Sequence, residues 1–209
     1  MKTFSLSVDE FLKQASSAAS TPGGGSVAAL AGALGASMVS MVANLTTGRE
    51  RFRDVESEVI ELRDLAVFLI EEFRRLAGAD MEAFTGLMDA FRMPKGTEAE
   101  RTERSREISR SALEATEVPL AIAEAALKTL GLARRIVTIG NKNAASDAGV
   151  AACLAEAAVT GALLNVDINL PLVDDEDYRQ RCLTKRNTMV KEATELRTEV
   201  LRTVARKMG

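Results

Sequence analysis

A carboxylate on an otherwise apolar helical face is the feature of this sequence that points most directly to chemistry. Asp80 has apolar residues three, four, seven and eleven positions away, the spacing of one face of an α-helix. These residues are Phe73, Leu76, Ala77, Ala83, Phe84, Leu87 and Phe91. Because burial disfavours the charged form of a carboxyl group, its pKa rises there unless a partner compensates. The pattern therefore predicts a general acid and base that works near neutral pH.

A structural role for Asp80 is the alternative. Gly78 precedes it closely, so the aspartate could cap the start of a helix. It could also be a core residue whose hydrogen bonds are satisfied within the protein. The spacing alone does not separate these interpretations from the catalytic one.

A glycine-rich turn is the second candidate for a site. Gly23-Gly24-Gly25-Ser26 follows a Thr-Pro pair and directly precedes a long uncharged segment. Backbone N–H groups at the start of a helix attract an anion such as a carboxylate or a phosphate. The turn is not a nucleotide-binding motif, because neither a Gly-Lys-Ser/Thr sequence nor a preceding strand accompanies it. An ordinary turn at a helix start would look the same.

Other polar residues also have both a local and a functional interpretation. Ser146 and Asp147 could simply cap the start of a helix. Asn165 and Asn169 flank a segment that ends at a proline, and they could serve only to form a turn.

The composition excludes several classes of function. The chain has no histidine, which removes His-based metal sites and Ser-His-Asp or Cys-His catalysis. A net charge of −3, with basic residues that gather on no single face, argues against nucleic-acid binding. Cys153 and Cys182 lie far apart and are expected to stay reduced. The N-terminus has no signal-peptide pattern, so we expect a cytoplasmic protein.

The sequence predicts an all-α bundle of about six helices, two of them long. Hydrophobic residues make up 46% of the chain and aromatic residues only 4%, and the alternation typical of strands is almost absent. The expected helices span 7–19, 23–45, 50 to about 90, 97–130, 148–164 and 174–208. A bend is expected at Gly78, a kink at Pro119 and an irregular connection over 165–171. No linker is visible, so 1–209 is expected to be a single domain.

Two of these helices carry almost no charge. Residues 23–45 have none and are numerous enough to cross a membrane. They are Gly, Ala and Ser rather than Leu and Ile, which is typical of closely packed helices in a soluble bundle, and we expect no membrane partner. Together with 148–164 they offer more apolar surface than a small bundle hides. The sequence therefore predicts a homodimer or a larger homo-oligomer.

Taken together, short motifs along the chain resemble one known family. In chain order they are Thr21-Pro22-Gly23-Gly24-Gly25-Ser26-Val27-Ala28-Ala29, Gly48-Arg49, Asp80-Met81-Glu82-Ala83-Phe84, Met93-Pro94-Lys95, Val118-Pro119-Leu120, Gly140-Asn141, Ser146-Asp147 and Asn165-Val166. Over 5–207 the chain resembles the cyclodeaminase/cyclohydrolase family. This family includes the C-terminal domain of formiminotransferase-cyclodeaminase and stand-alone bacterial methenyltetrahydrofolate cyclohydrolases.

The resemblance implies a helical homo-oligomer that acts on a tetrahydrofolate one-carbon adduct without a metal or a redox cofactor. The catalytic aspartate proposed for the family falls on Asp80. Asp147, with Asn141, is expected to bind the polar edge of the pterin ring or to orient the reacting group. Residues 23–26, Arg49 and Lys95 are the candidates for binding the substrate carboxylates. The full set of expected substrate-binding residues is Gly23, Gly24, Gly25, Ser26, Arg49, Lys95, Asn141, Ser146, Asp147 and Asn165.

Two kinds of function remain open. An enzyme would form 5,10-methenyltetrahydrofolate from the 5-formimino compound, or hydrolyse it to the 10-formyl compound. The resemblance does not extend to a transferase domain, so formimino transfer would need a separate formiminotransferase. The alternative is a non-catalytic folate-binding or scaffold subunit of the same fold. Such a subunit could lose Asp80 without penalty, so the presence of Asp80 favours the enzyme.

Overall fold

The computed structural model describes residues 3–209, and within them the chain forms six α-helices and no β-strand. The helices are α1 Val8–Ala15, α2 Gly24–Asn44, α3 Glu56–Arg92, α4 Glu98–Ile139, α5 Ala145–Asn169 and α6 Glu176–Met208. Short 3₁₀ turns occur at Thr3–Ser5, Glu50–Val55, Lys142–Ala144 and Leu170–Leu172. The all-α class and the number of helices are confirmed. Three helices rather than two are long, since α3, α4 and α6 have 37, 42 and 33 residues.

Side-chain caps begin two of the helices. At α1 the backbone N–H of Glu10 donates to Ser7 Oγ at 3.2 Å, and that of Ser7 donates to Glu10 Oε2 at 3.0 Å. The same reciprocal pair forms between Thr97 and Glu100 at the start of α4. Each pair satisfies donors that a helix start leaves without an intrahelical partner. The α1 start matches the sequence pattern, although α1 ends at Ala15 rather than near residue 19.

Helix α4 continues past its expected end near Leu130 to Ile139. Ala133, Ile136 and Val137 are fully or almost fully buried and extend the apolar face of the helix, which explains the added length. Pro119 lies inside α4 and is buried. The helix therefore tolerates a proline in its interior.

The irregular connection expected at 165–171 is wrong, because helix α5 continues through most of this segment. The helix runs through Asn165 and ends at Asn169, and Val166 is fully buried between them. The Asn169 side chain donates to the Ala115 carbonyl of α4, whereas the Asn165 side chain donates to the carbonyl of Gly161, four residues earlier in α5 itself. The expected cap at Ser146 and Asp147 is absent, because Ala144 is the N-cap residue and makes no side-chain cap.

Helices α2 and α5 form the centre of the bundle and run antiparallel. Gly24 at the start of α2 lies beside Asn165 near the end of α5, and Gly35 lies beside Ala151 and Ala155. A methyl group on Gly35 would come within 3.1 Å of the Ala151 carbonyl oxygen. Small residues therefore allow the two backbones to approach closely, and this positions the start of α2 against the end of α5.

An uncharged face of α2 and α5 remains exposed. Val27 and Leu34 on α2 are 46% and 48% exposed, and Val150, Leu164 and Ile168 on α5 are 47%, 62% and 72% exposed. Both helices are long and apolar enough to cross a membrane by length and composition alone. About half of each apolar stretch is buried inside the bundle, as in the core helices of other proteins, so this is weak evidence for a membrane span.

Candidate active site

A pocket of about 450 Å³ lies where the start of α2, the second half of α3 and the end of α5 meet. Its polar surface comes from the segment before α2, from Asp80 and from two asparagines of α5. Aromatic and aliphatic side chains of α3 and α5 supply the apolar surface. The lining residues are Ser20, Thr21, Gly23, Gly24, Gly25, Asp80, Phe84, Leu87, Met88, Phe91, Ala115, Asn165, Ile168, Asn169 and Leu172.

Asp80 lies in the interior of α3, and its carboxyl group meets the first turn of α2. Ser26, which is fully buried, donates from Oγ to Asp80 Oδ2 at 3.5 Å. Burial raises the pKa of Asp80 above its ordinary value of 3.8, although hydrogen bonds from the Ser26 hydroxyl and backbone act in the opposite direction. Because α3 begins at Glu56, Asp80 does not cap the helix. Its environment favours the protonated form more than that of an exposed aspartate does, as expected for a group that takes part in proton transfer.

Gly25 allows the backbone of α2 to approach the carboxyl group of Asp80. A Cβ atom at this position would lie 2.5 Å from both Cγ and Oδ2 of Asp80, closer than real Cβ contacts. Only glycine avoids this overlap. The positive end of the α2 dipole therefore faces a carboxyl group of the same chain. Binding of a substrate carboxylate by the glycine turn stays a prediction.

Asn165 faces the glycine turn from α5. Its Nδ2 donates to the Gly161 carbonyl at 2.9 Å. Its side chain also lies against Gly24, where an added Cβ atom would be 3.4 Å from Nδ2 and 3.5 Å from Oδ1. The antiparallel pairing of α2 and α5 thus brings Asn165, Gly24 and Asp80 together.

Asn141 lies at the opposite end of the bundle, with its polar atoms bound within the protein. Its backbone N–H donates to Thr46 Oγ1 at 3.0 Å, and its Nδ2 donates to the Leu45 carbonyl at 3.1 Å. Its Oδ1 accepts from Arg51 at 2.9 Å. Leu45 follows Gly25 by 20 residues along α2, or about 30 Å at 1.5 Å per residue. The structure therefore places Asn141 outside the Asp80 pocket, where it joins the chain after α4 to the end of α2.

Five other expected site residues also lie outside the pocket lining, and one of them is the fully buried Ser26, which donates to Asp80. Ser146 and Asp147 are in the first turn of α5, and Asp147 precedes Asn165 by 18 residues, or about 27 Å along the helix. Arg49 is exposed just after α2, near the same end of the bundle as Asn141. Lys95 is exposed and follows the pocket residue Phe91 by four positions.

Two residues that the sequence motifs do not mark also belong to this region. Asn169 lines the pocket one helical turn after Asn165. Their spacing of four residues would have indicated a shared face if α5 had been expected to continue. Arg104 of α4 donates to the Phe91 carbonyl from Nε at 3.3 Å and from Nη2 at 3.0 Å, and it lies over the Phe91 ring. No sequence motif distinguishes Arg104 from the other arginines of α4.

Metal ligands do not gather in the part of the chain that the structure describes. Over residues 3–209, no three acidic or cysteine side chains are grouped as they would be around a metal ion. The expectation that the reaction needs no metal and no redox cofactor stays a prediction.

The sequence and the fold match proteins of folate metabolism. Methenyltetrahydrofolate cyclohydrolase of Methylorubrum extorquens is 35% identical over 202 residues, which cover 97% of both chains. Rat formimidoyltransferase-cyclodeaminase is 32% identical over 187 residues, and the match covers 90% of this chain but 35% of the rat protein. The crystal structure of formiminotetrahydrofolate cyclodeaminase from Thermotoga maritima superposes with a TM-score of 0.88 and 28% identity over 99% of both chains.

The sequence pattern of the formiminotransferase-cyclodeaminase family matches residues 7–205. This range includes all six helices except the last three residues of α6, and it contains every residue that lines the Asp80 pocket. The full-length relative and the shared fold agree with this match. The chain therefore belongs to the formiminotransferase-cyclodeaminase family.

Proposed function

We propose that this chain is a tetrahydrofolate one-carbon enzyme that forms or hydrolyses 5,10-methenyltetrahydrofolate in the Asp80 pocket. The observation that carries the proposal is the Asp80 carboxyl group, whose pKa is raised by burial among the residues that line a pocket. The names of the relatives support both activities, because they include a cyclohydrolase and cyclodeaminases. We propose a cytoplasmic enzyme that needs no metal or redox cofactor.

The size and the lining of the pocket support the binding of a reduced folate. Its volume of about 450 Å³ is in the usual range for small-molecule sites. Phe84, Leu87, Met88 and Phe91 offer apolar surface to the flat parts of the ligand. An apolar lining of this kind strengthens the interaction of the carboxyl group with a cationic reaction centre.

In the cyclodeaminase direction, Asp80 would act as an acid. The anilino nitrogen of the folate attacks the carbon of the protonated formimino group, which becomes tetrahedral, and the proton of the anilino N–H passes to solvent. A proton from the Asp80 carboxyl group then converts the exocyclic nitrogen into neutral ammonia as its bond to carbon breaks. Because the pKa of Asp80 is raised, more of the carboxyl group carries this proton near neutral pH than in an exposed aspartate.

In the cyclohydrolase direction, Asp80 would first act as a base. A water molecule adds to the methenyl carbon and gives a proton to the carboxylate. The resulting tetrahedral carbon loses its bond to the ring nitrogen, which takes a proton from the same carboxyl group. The hydroxyl group on this carbon releases its proton to solvent, and the 10-formyl compound is formed. Both directions pass through one carbon between two nitrogens, so a single carboxyl group serves either reaction.

The glutamate tail of the folate would leave the pocket on the side of Phe91. Lys95 is exposed close to this residue in sequence, and Arg104 lies over its ring, so both are available to the tail carboxylates. Arg49, Asn141, Ser146 and Asp147 lie outside the lining of this pocket. Any contact of these four residues with substrate remains an expectation from the family resemblance. We also propose that a separate formiminotransferase supplies the 5-formimino substrate.

A spectrophotometric assay of the purified protein tests the proposed function. The absorbance of 5,10-methenyltetrahydrofolate is followed as it forms from the 5-formimino compound, and in a second experiment as it is hydrolysed. Turnover in either direction above the rate without enzyme supports the proposal. Absence of turnover in both directions, with a correctly folded protein, would refute it.

The kcat of the deaminase reaction and that of the hydrolase reaction are expected to change with pH in opposite directions. The deaminase reaction needs the protonated form of Asp80, so kcat should fall as pH rises through the raised pKa. The hydrolase reaction needs the carboxylate first, so its kcat should rise over the same interval. Rates measured from pH 4 to 9, in steps of roughly half a unit, give the two profiles after subtraction of the uncatalysed rates. If kcat rose with pH in both reactions, or fell in both, the result would contradict the proposed roles of Asp80.

We also propose that two copies of the chain pair through the exposed face of α2 and α5. Leu34 and Leu164 are exposed on adjacent helices that carry almost no charge. A contiguous face of this kind marks an interface in many soluble proteins. Light scattering at micromolar concentration should give at least twice the mass of 22.4 kDa.

Leu34→Glu, which places a charge on this face, should shift the mass towards the monomer. The exposed Leu12 on α1 offers a matched control, since Leu12→Glu adds the same charge at a position that is 59% exposed but lies on another helix. A monomeric mass for the unchanged protein would contradict the proposal, and so would equal effects of both substitutions.

A further inference from the structure

We propose that Asn169 is a specificity-determining residue of the Asp80 pocket, whose Oδ1 accepts a hydrogen bond from an N–H group of the substrate's pteridine ring. Asn169 lines the pocket and is partly buried. The inference rests on the proposed function, because it assigns one end of the pocket to one part of the folate.

The hydrogen bond to the Ala115 carbonyl determines the orientation of the Asn169 amide. Its nitrogen lies 2.6 Å from the Ala115 carbonyl oxygen. A carbonyl oxygen only accepts hydrogen bonds, so the atom that faces it must be the NH₂ group and the opposite atom must be Oδ1. Among residues 3–209, no group donates a hydrogen bond to this Oδ1. The amide is therefore held by its donor end, and its acceptor end is available to a ligand.

Pro119 is the reason why the Ala115 carbonyl is free to hold this amide. In an α-helix the carbonyl of residue 115 would accept from the N–H of residue 119, but proline has no N–H group. The Asn169 amide takes the place of the missing donor and so satisfies a carbonyl inside the bundle. A proline in α4 thus determines which end of an α5 side chain is presented to the pocket.

Asn165, one turn earlier on the same helix, is also held by its amide nitrogen, although the carbonyl that it binds belongs to α5 itself. Its Nδ2 donates to the Gly161 carbonyl, so its Oδ1 is also directed away from its own helix. Asn165, Asn169 and Asp80 all line the pocket, and each side chain carries an oxygen that can accept a hydrogen bond. The pyrimidine part of a reduced pteridine carries an amino group and ring N–H groups, which are donors. The carboxylates of the glutamate tail would be repelled there.

The experiment separates the ligand role of Asn169 from its structural role. Asn169→Leu removes the acceptor and also leaves the Ala115 carbonyl without a donor. Pro119→Ala restores the helical N–H group, so the double variant Pro119→Ala/Asn169→Leu is the one expected to fold with this carbonyl satisfied. Each variant is tested for thermal stability and for binding of 5-formyltetrahydrofolate, a stable reduced folate, by equilibrium dialysis.

Asn169→Leu should lower the melting temperature and weaken binding about 5- to 100-fold, because a buried donor of the ligand loses its partner. Adding Pro119→Ala should recover most of the melting temperature, whereas binding should stay weaker than in Pro119→Ala alone by a similar factor. This separation of stability from affinity supports the inference, since under a purely structural role Pro119→Ala would restore the melting temperature and the folate affinity together.

Two results would overturn the inference, and they can be told apart. If Pro119→Ala/Asn169→Leu binds the folate as tightly as Pro119→Ala, then Asn169 only caps the Ala115 carbonyl and the proposed function stands. If the unchanged protein neither binds this folate nor turns over the methenyl and formimino compounds, then the proposed function fails and this inference fails with it.

Discussion

Replacing Asp80 by asparagine is expected to leave a folded protein that has lost most of its activity. The amide keeps the volume of the carboxyl group, and its oxygen can still accept from Ser26, but it cannot transfer a proton. A loss in kcat of about 10²- to 10⁴-fold is the expected scale for removal of a general acid or base. The measurement is steady-state kinetics in both directions on the purified variant.

Stability provides an internal check on this experiment. Because the pKa of Asp80 is raised in the folded protein, the folded state holds a proton that the unfolded state has lost at pH values between 3.8 and the raised pKa. Folding stability attributable to this group therefore falls as pH rises through that interval and stays lower above it. The Asp80→Asn variant should thus melt at the same temperature as the unchanged protein, or higher, at neutral pH.

A second aspartate of α3 serves as the matched control. Asp64 has a side chain that is 63% exposed and is paired with Arg63, away from the pocket. Asp64→Asn makes the same chemical change on the same helix, and kcat should not change. Near-normal turnover of a folded Asp80→Asn variant would remove the central claim about the site.

The partly buried, apolar environment of Asp80 could be predicted from sequence because the evidence for it is local. A charged residue among apolar residues at helical spacing determines its own environment once the helix forms. The same reasoning applies to the cap at Ser7 and to the uncharged central helices. These features depend on residues that are close together in sequence.

The composition of the complete pocket could not be predicted, because it depends on which helix ends meet. The antiparallel packing of α2 and α5 brings Gly24 beside Asn165, whereas Asn141 bonds to Leu45 about 30 Å away along α2. The family motifs therefore divide between two ends of the bundle, although they appear as one series along the chain. Their order in sequence contains no information on this division.

The sequence could not predict the hydrogen bond between Asn169 and Ala115 for a related reason. Asparagine is common in turns, and a proline follows closely at position 171, so a turn was the natural expectation. The structure shows a helix that continues to Asn169, and the side chain of Asn169 donates to the carbonyl of Ala115 in another helix. A tertiary hydrogen bond of this kind leaves no periodic pattern in the sequence.

Gly25→Ala is expected to reduce activity almost as strongly as the loss of Asp80. The added Cβ atom would lie 2.5 Å from Cγ of Asp80, so the carboxyl group or the start of α2 must move. A displacement of about 1 Å in a reacting group can cost roughly 10²-fold in rate. Kinetics of the variant should therefore show a fall in kcat of at least that size.

The neighbouring glycine separates this steric effect from a general effect on the turn. At Gly24 an added Cβ atom would lie 3.4 Å from Nδ2 of Asn165, an ordinary contact, so Gly24→Ala should change kcat far less than Gly25→Ala. Alanine also favours a helix over glycine by about 1 kcal/mol, so any loss of stability at position 25 comes from the overlap with Asp80.

A double variant provides the decisive comparison. Asp80→Ala makes room for the new methyl group, so Gly25→Ala should lower the melting temperature of the unchanged protein but not that of the Asp80→Ala variant. In activity the two substitutions should not add, because both act on the same carboxyl group. If Gly25→Ala lowered kcat of the Asp80→Ala variant by a further factor of about 10², then Gly25 would act on the substrate itself. The glycine turn would then contact the ligand, as its sequence first indicated.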